Sequence, residues 1–401
     1  MSGKTINSAY DMPEGFKISV IEAAIKKPGR TDVALIYSGV PAAAAAVFTK
    51  NAVKAAPVLL DIRHVKNGSA RAIVANSGNA NACTGERGMK DAALTAAIVA
   101  ARLECDQRDV LVCSTGVIGV PMPMERLAPR LRECAENLGA NTLMDAAKAI
   151  MTTDSFPKLA SRRLILGSKP CTIAAIAKGA GMICPDMATM LCFILTDAAV
   201  APKTLKTALK NSVEKSFNRI TVDGDTSTND TVILLANGAA GNKTIDGPSK
   251  DLQSFGKALD EITLELARMC VRDGEGATKI FTVSIKGAAK PVHALKAART
   301  VANSPLVKTA IYGRDANWGR IMAALGRSGI PLDPNKVDIF FDRIRVVKNG
   351  LSSGNDAAAE KILSNDEVTV TIDLKAGRAA AETISCDLTE EYIRINSKYR
   401  T

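Results

Sequence analysis

Histidine is nearly absent: His64 and His293 are the two in 401 residues. Neither a His-Glu-x-x-His pattern nor a Gly-x-Ser-x-Gly elbow occurs, so the motifs of zinc peptidases and α/β-hydrolases are excluded and general-base duty falls to another group. Both histidines read as surface or capping residues. Aromatic side chains make up 4% of the chain, which leaves few platforms for stacking bases. The nine cysteines are scattered, the shortest separations being Cys105 to Cys113 and Cys184 to Cys192, so no Cys-x-x-Cys metal pair exists and a reducing compartment, the cytoplasm, is expected. No apolar run approaches the roughly 18 residues of a membrane span, and residues 1–11 lack the apolar core of a signal peptide.

Hydrophobic residues make up 47% of the chain, enough for one large domain and a smaller one. The net charge of +11 is spread along it: before Thr189, 23 basic minus 16 acidic residues gives +7, and from there on 29 minus 25 gives +4. No basic tail or stripe results, so small anionic substrates suit the excess better than nucleic acid.

Residues 17–49 alternate short apolar segments with breaks at Pro28, Gly29, Gly39 and Pro41, which predicts a strand meander. Strands are then expected near 70–75, 109–114, 160–166 and 171–177, and helices near 88–104, 123–138 and 141–151. Such interleaving predicts an α/β (α+β) protein with sheets covered by helices. A helix over 202–216, a polar loop over 221–228 and a long helix stopping at Asp273-Gly274-Glu275-Gly276 follow, then a strand over 279–286. Composition shifts after about 286, so a core over 1–285 and a smaller α+β domain over 286–401 are expected. The segment Tyr392-Ile393-Arg394-Ile395 reads as a strand.

The chain is organised around residues 178–189, Lys-Gly-Ala-Gly-Met-Ile-Cys-Pro-Asp-Met-Ala-Thr. Gly179, Gly181 and Pro185 shape a loop, and the apolar run after it marks Thr189 as the opening of a buried strand. With no histidine placed to serve a threonine nucleophile, the remaining candidate base is the threonine's own α-amino group, whose pKa of roughly 7.7–8 lies near working pH. An internal threonine gains that group if the chain breaks between Ala188 and Thr189. The competing reading is a core threonine at a strand start. Elsewhere, Thr115 and Gly116 after an apolar strand suit either an oxyanion site or an ordinary turn. Residues 76–81, Asn-Ser-Gly-Asn-Ala-Asn, suit a pocket wall or a set of turns. Glu275 suits a helix terminator or a carboxylate aimed at an ammonium. The acidic loop from Asp223 to Asp230 fails as a calcium loop, with Thr228 and Leu234 where glycine and glutamate are needed, so no metal is expected.

Taken together, residues 76–85, 114–119, 151–154, 178–191, 216–230, 272–279, 315–320 and 395–401 closely resemble the ornithine acetyltransferase (glutamate N-acetyltransferase) family of the cyclic arginine pathway. The resemblance runs nearly end to end. It implies a four-layer αββα architecture, self-cleavage before Thr189 into chains 1–188 and 189–401, and pairing of those chains into a heterotetramer. It further implies that Thr189 is the nucleophile, that Thr115 and Gly116 donate to the oxyanion, and that Thr152, Lys178, Glu275, Asn396 and Thr401 contact substrate. The implied reaction moves an acetyl group from N-acetylornithine to glutamate through an ester on Thr189, needs no cofactor, and leaves open acetyl-CoA as a second donor. Two other readings remain: a self-processing aminopeptidase or amidase of the same fold, and an uncleaved amino-acid-binding protein without catalysis.

Overall fold

In the computed structural model, the structure is described for residues 11–184 and 190–398. Strand β2 (Val33–Phe48) organises the larger sheet. Its first half pairs with β1 (Phe16–Ile21) and β3 (Ser69–Asn79), its second with β8 (Thr231–Ala236), and the β2–β3 register breaks between Tyr37 and Ala42, where Gly39 and Pro41 interrupt the ladder. Beyond these lie β4 (Val110–Val117) on one side and β5 (Lys158–Leu166), β6 (Lys169–Lys178) and β7 (Leu191–Thr196) on the other, in the order β4-β3-β2-β8-β7-β6-β5.

The two halves of this sheet face one another. Ile73, Leu111, Ile176, Phe193 and Ile233 from both halves share one buried cluster, with α4 (Leu143–Ala149) wedged into it. The outer face of the β3–β4 half packs under α1 (Ala56–His64), α2 (Gly85–Leu103) and α3 (Met124–Glu136). The outer face of the other half packs under α5 (Pro202–Lys215) and α6 (Lys250–Arg272). Four αββα layers result, as the family resemblance implied. Both faces of each central strand are therefore covered, which is why these strands read as unbroken apolar runs: in β7, Leu191, Phe193 and Leu195 point inward between the halves while Cys192 and Ile194 point toward α5 and α6.

The smaller sheet has the order β12-β11-β10-β13-β9-β14, from β9 (Ile280–Ala288), β10 (Asp338–Phe341), β11 (Ile344–Lys348), β12 (Leu351–Ser352), β13 (Glu367–Asp373) and β14 (Ala379–Cys386). The expected division at 285/286 falls within β9. One face of this sheet, carrying Val283, Val370 and Ile372, packs in a second core with α7 (Pro291–Ala302), α8 (Pro305–Tyr312), α9 (Trp318–Gly326) and α10 (Asp356–Ile362). The chain then forms α11 (Glu390–Lys398).

Four expectations are corrected. Residues 17–49 form two strands, because β2 continues through its own irregularity. Residues 76–79 belong to β3 and are not turns. His64 is buried at the end of α1, its Nδ1 donating to the Val110 carbonyl at 2.8 Å, so it ties helix to strand and is not a surface residue. The segment over 392–395 is helical: four alternating residues cannot separate a period of 2 from one of 3.6, and the Glu391–Arg394 pair and the acidic first turn of Glu390 and Glu391 favour a helix.

Candidate active site

The ends of β4 and β6, the turn after α4, the loop before β8, the end of α6 and one face of α11 converge on a cavity of about 250 Å³. It brings together Thr115, Gly116, Thr152, Lys178, Glu275 and Asn396. Ala188, Thr189 and Thr401 lie outside the described residues. Met190, which follows Thr189 in the chain, is buried and donates its N–H to Asp230 Oδ1 at 3.1 Å. Asp230 is itself buried, which pushes its carboxyl pKa well up.

One wall is anchored by buried charge. Lys178 Nζ donates to Thr115 Oγ1 at 3.1 Å. An ammonium can only donate, so the Thr115 O–H is left to donate elsewhere, as an oxyanion requires. Gly116 beside it has φ +138, and a Cβ there would meet the Gly78 carbonyl carbon at 2.3 Å, so only glycine fits. Burial pushes the Lys178 pKa down, with the Asp154 carboxylate pulling against it. Burial pushes the Asp154 carboxyl up, but Lys178 and Lys158 outweigh it and hold it at about 2. Lys158 Nζ donates to Asp154 Oδ1 at 2.7 Å and to Asp273 Oδ2 at 2.5 Å. Asp154 also accepts the N–H of Gly179 at 2.6 Å and of Thr152 at 2.9 Å, so one carboxylate sets both the end of β6 and the turn carrying Thr152. Two lysines and two aspartates thus neutralise one another below the cavity floor.

The opposite wall is held by fewer and more exposed contacts. Glu275 follows α6, its N–H donates to the Ala180 carbonyl at 2.9 Å, and its carboxylate lies where a Cβ on Gly181 would sit. Asn396 Nδ2 donates to Glu275 Oε2 at 2.7 Å. Asp223 accepts the N–H groups of Met182 at 2.6 Å and Ile183 at 2.9 Å, and the Tyr392 hydroxyl donates to it at 3.3 Å. Asp223 therefore clamps the segment over 182–183 that leads toward Thr189, which is the work of the acidic loop first compared with a calcium site. Asp223, Asp225, Asn229 and Tyr392 line the cavity without having been singled out as site residues. A helical reading of the C-terminus was the signal that could have found Tyr392, since it lies one turn before Asn396 on the same helix face. Among the described residues, no group of three His, Cys, Asp or Glu is placed to hold a metal ion.

A four-layer αββα core with a hydroxyl donor, a required glycine and a buried lysine on one cavity wall, and carboxylates on the other, defines an enzyme of the acyl-transfer class. The chain belongs to the ArgJ family, which it matches over residues 17–401. It is 54% identical over 390 residues to the arginine biosynthesis bifunctional protein ArgJ of Geobacter sulfurreducens, covering 97% of this chain and 99% of the relative. To the protein of that name from Thermotoga neapolitana it is 48% identical over 397 residues, covering 97% and 100%. A crystal structure of the arginine biosynthesis bifunctional protein ArgJ of Bacillus halodurans, 42% identical, superposes with a TM-score of 0.50 and covers 52% of this chain and 98% of its own.

Proposed function

We propose that this chain transfers the acetyl group of N2-acetyl-L-ornithine to L-glutamate in arginine biosynthesis, through an ester on Thr189. The observation that carries the reading is the meeting of the Thr115 hydroxyl, Gly116 and Lys178 with Glu275 and Asn396 on one amino-acid-sized cavity. The Thr189 hydroxyl attacks the acetyl carbonyl, the Thr189 α-amino group takes its proton, and the Thr115 O–H and Gly116 N–H stabilise the oxyanion. Ornithine leaves with that proton. The α-amine of glutamate then attacks the ester, and Thr189 regains a proton as N-acetylglutamate departs. The positive charge of Lys178 keeps the Thr189 α-amine neutral at working pH by repulsion. The side chains of Thr152, Glu275 and Asn396, with Thr401, orient the substrate.

The α-amino group exists only after cleavage between Ala188 and Thr189. Residues 189–401 number 401 − 188 = 213, or 53% of the chain. The Bacillus halodurans chain covers 52% of this one with 98% of its own length, which supports two chains. We place these as a heterotetramer of two α and two β chains in the cytoplasm, where the nine cysteines, none of them in a disulfide, stay reduced. No cofactor enters the reaction. Acetyl-CoA serves as the second donor, forming the same ester.

Intact mass and steady-state kinetics test this together. Wild-type protein is expected as two fragments and Thr189→Ala as one chain, with parallel double-reciprocal lines when glutamate is varied at several N-acetylornithine concentrations. A wild-type chain that is uncleaved yet active contradicts the amino-terminal base, and intersecting lines contradict the ester.

A further inference from the structure

A second hollow, of about 260 Å³, shares Thr152 with the substrate cavity and is lined by Lys26, Lys27, Arg30, Ser77 and Gly78. Its cations come from the connection between β1 and β2, which is built by specific bonds. Both oxygens of the buried Asp32 carboxylate are engaged by backbone N–H groups, Ala23 to Oδ1 at 2.6 Å and Ile25 to Oδ2 at 2.7 Å. Glu22 Oε1 accepts the Gly29 N–H at 2.8 Å. Arg30 donates to Ser77 Oγ at 2.8 Å and to the Met151 carbonyl, one residue before Thr152. Asp32 is the one carboxylate lining this hollow, and Lys27 and Arg30 form no ion pair with any carboxylate among the described residues. Lys27 and Arg30 alone outnumber the one committed carboxylate, which leaves a positive surplus in a concave site and selects an anion.

The size of the first cavity indicates which anion. Ligands of drug size fill about 300–1,000 Å³, so 250 Å³ holds an acetylated amino acid but not a nucleotide-bearing thioester. A donor of that kind must put its phosphates beyond the cavity, and the hollow lies next to it, with Thr152 lining both. We propose that the hollow formed by Lys26, Lys27 and Arg30 is a phosphate-binding site that holds the phosphorylated end of acetyl-CoA while its acetyl group reaches the substrate cavity. This rests on the second-donor half of the function proposed above. The acetyl carbon passes from the thioester sulfur to the Thr189 oxygen, the thiol leaves carrying the proton from that hydroxyl, and glutamate takes the acetyl group in the second step.

The test uses the mature wild-type enzyme and the double variant Lys26→Glu/Lys27→Glu, whose exposed side chains lie outside the substrate cavity. Calorimetric titration with coenzyme A, and the KM for acetyl-CoA, should each worsen about tenfold or more in the variant, one charge-assisted contact being worth about that much. The kcat/KM for N-acetylornithine and glutamate should be unchanged, and so should acetyl transfer from acetyl-pantetheine, which has no phosphate. Replacement by Lys26→Arg/Lys27→Arg should restore binding. Coenzyme A binding equally to wild type and the Glu variant, or to neither, overturns the site. Pyrophosphate that binds the wild type where coenzyme A does not overturns the donor assignment in favour of a free phosphate ligand. Failure of the wild type to move acetyl from N-acetylornithine contradicts the proposed function itself and is read separately.

Discussion

The two walls of the substrate cavity are built on opposite principles. The Thr115–Lys178 wall stands on buried side chains, with Lys158 and Asp154 fully enclosed and every charge countered by another. The Glu275–Asn396 wall stands on α11, in which no residue is buried and whose Ile393 is 66% exposed. Chemistry that must position an oxyanion donor within a fraction of an ångström belongs on the first. Recognition of two amino acids with oppositely charged side chains belongs on the second, where a few hydrogen bonds can be exchanged without disturbing the core.

Breaking the buried wall should have the largest effect. Asp154→Ala leaves Lys178 without its buried countercharge and Lys158 with Asp273 alone, and removes the acceptor for two backbone N–H groups, so a loss of about 3–5 kcal/mol in urea unfolding is expected. Thr115→Val removes the acceptor of the buried Lys178 ammonium and should cost about 1–3 kcal/mol of stability, while lowering kcat about 10²- to 10³-fold, the usual cost of losing one oxyanion donor. An unchanged kcat would move that role off β4. A smaller effect concerns acid. Lys178 and Lys158 hold the folded pKa of Asp154 at about 2, below the ordinary aspartate value of 3.8. A depressed carboxylate contributes stability above the unfolded pKa and loses it as pH falls through the folded one. Between about pH 4 and pH 2 the wild type should therefore lose about 2 kcal/mol more than Asp154→Asn. Parallel pH profiles of the two proteins would contradict this.

The exposed wall should respond weakly and differently. Asn396→Ala removes one hydrogen bond to Glu275, worth about 0.5–1.5 kcal/mol, so a few-fold rise in KM with the thermal midpoint unchanged is expected. A falling midpoint would show that α11 is structural. Deleting residues 396–401 should leave the two fragments intact, lower transfer to glutamate and raise hydrolysis of N-acetylornithine, because water then reaches the ester.

The same contrast explains what the sequence made legible. Doubly covered strands such as β6 and β7 announce themselves as apolar runs, and the polar residues that interrupt them, Lys178 and Thr115, stand out against that background. The buried quartet was half hidden, because Lys158 and Asp273 are far apart in sequence and no local pattern couples them. At α11 the reading failed: the helix buries no residue and is too short and polar for its period of 3.6 to stand out, and Tyr392-Ile393-Arg394-Ile395 imitated a strand. The bend in β2 was hidden too, since a break that joins two half-sheets looks in sequence like the end of a strand.

The central claim is that acetyl rests on Thr189 between the two substrates. Incubating the mature enzyme with N-acetylornithine without glutamate, quenching in acid and weighing the fragments by mass spectrometry tests it directly. The account predicts an increase of about 42 Da, one acetyl group, on the fragment beginning at Thr189, mapped to that hydroxyl and discharged when glutamate is added. An unmodified fragment under conditions of full turnover, or an acetyl group on any other residue, would contradict it.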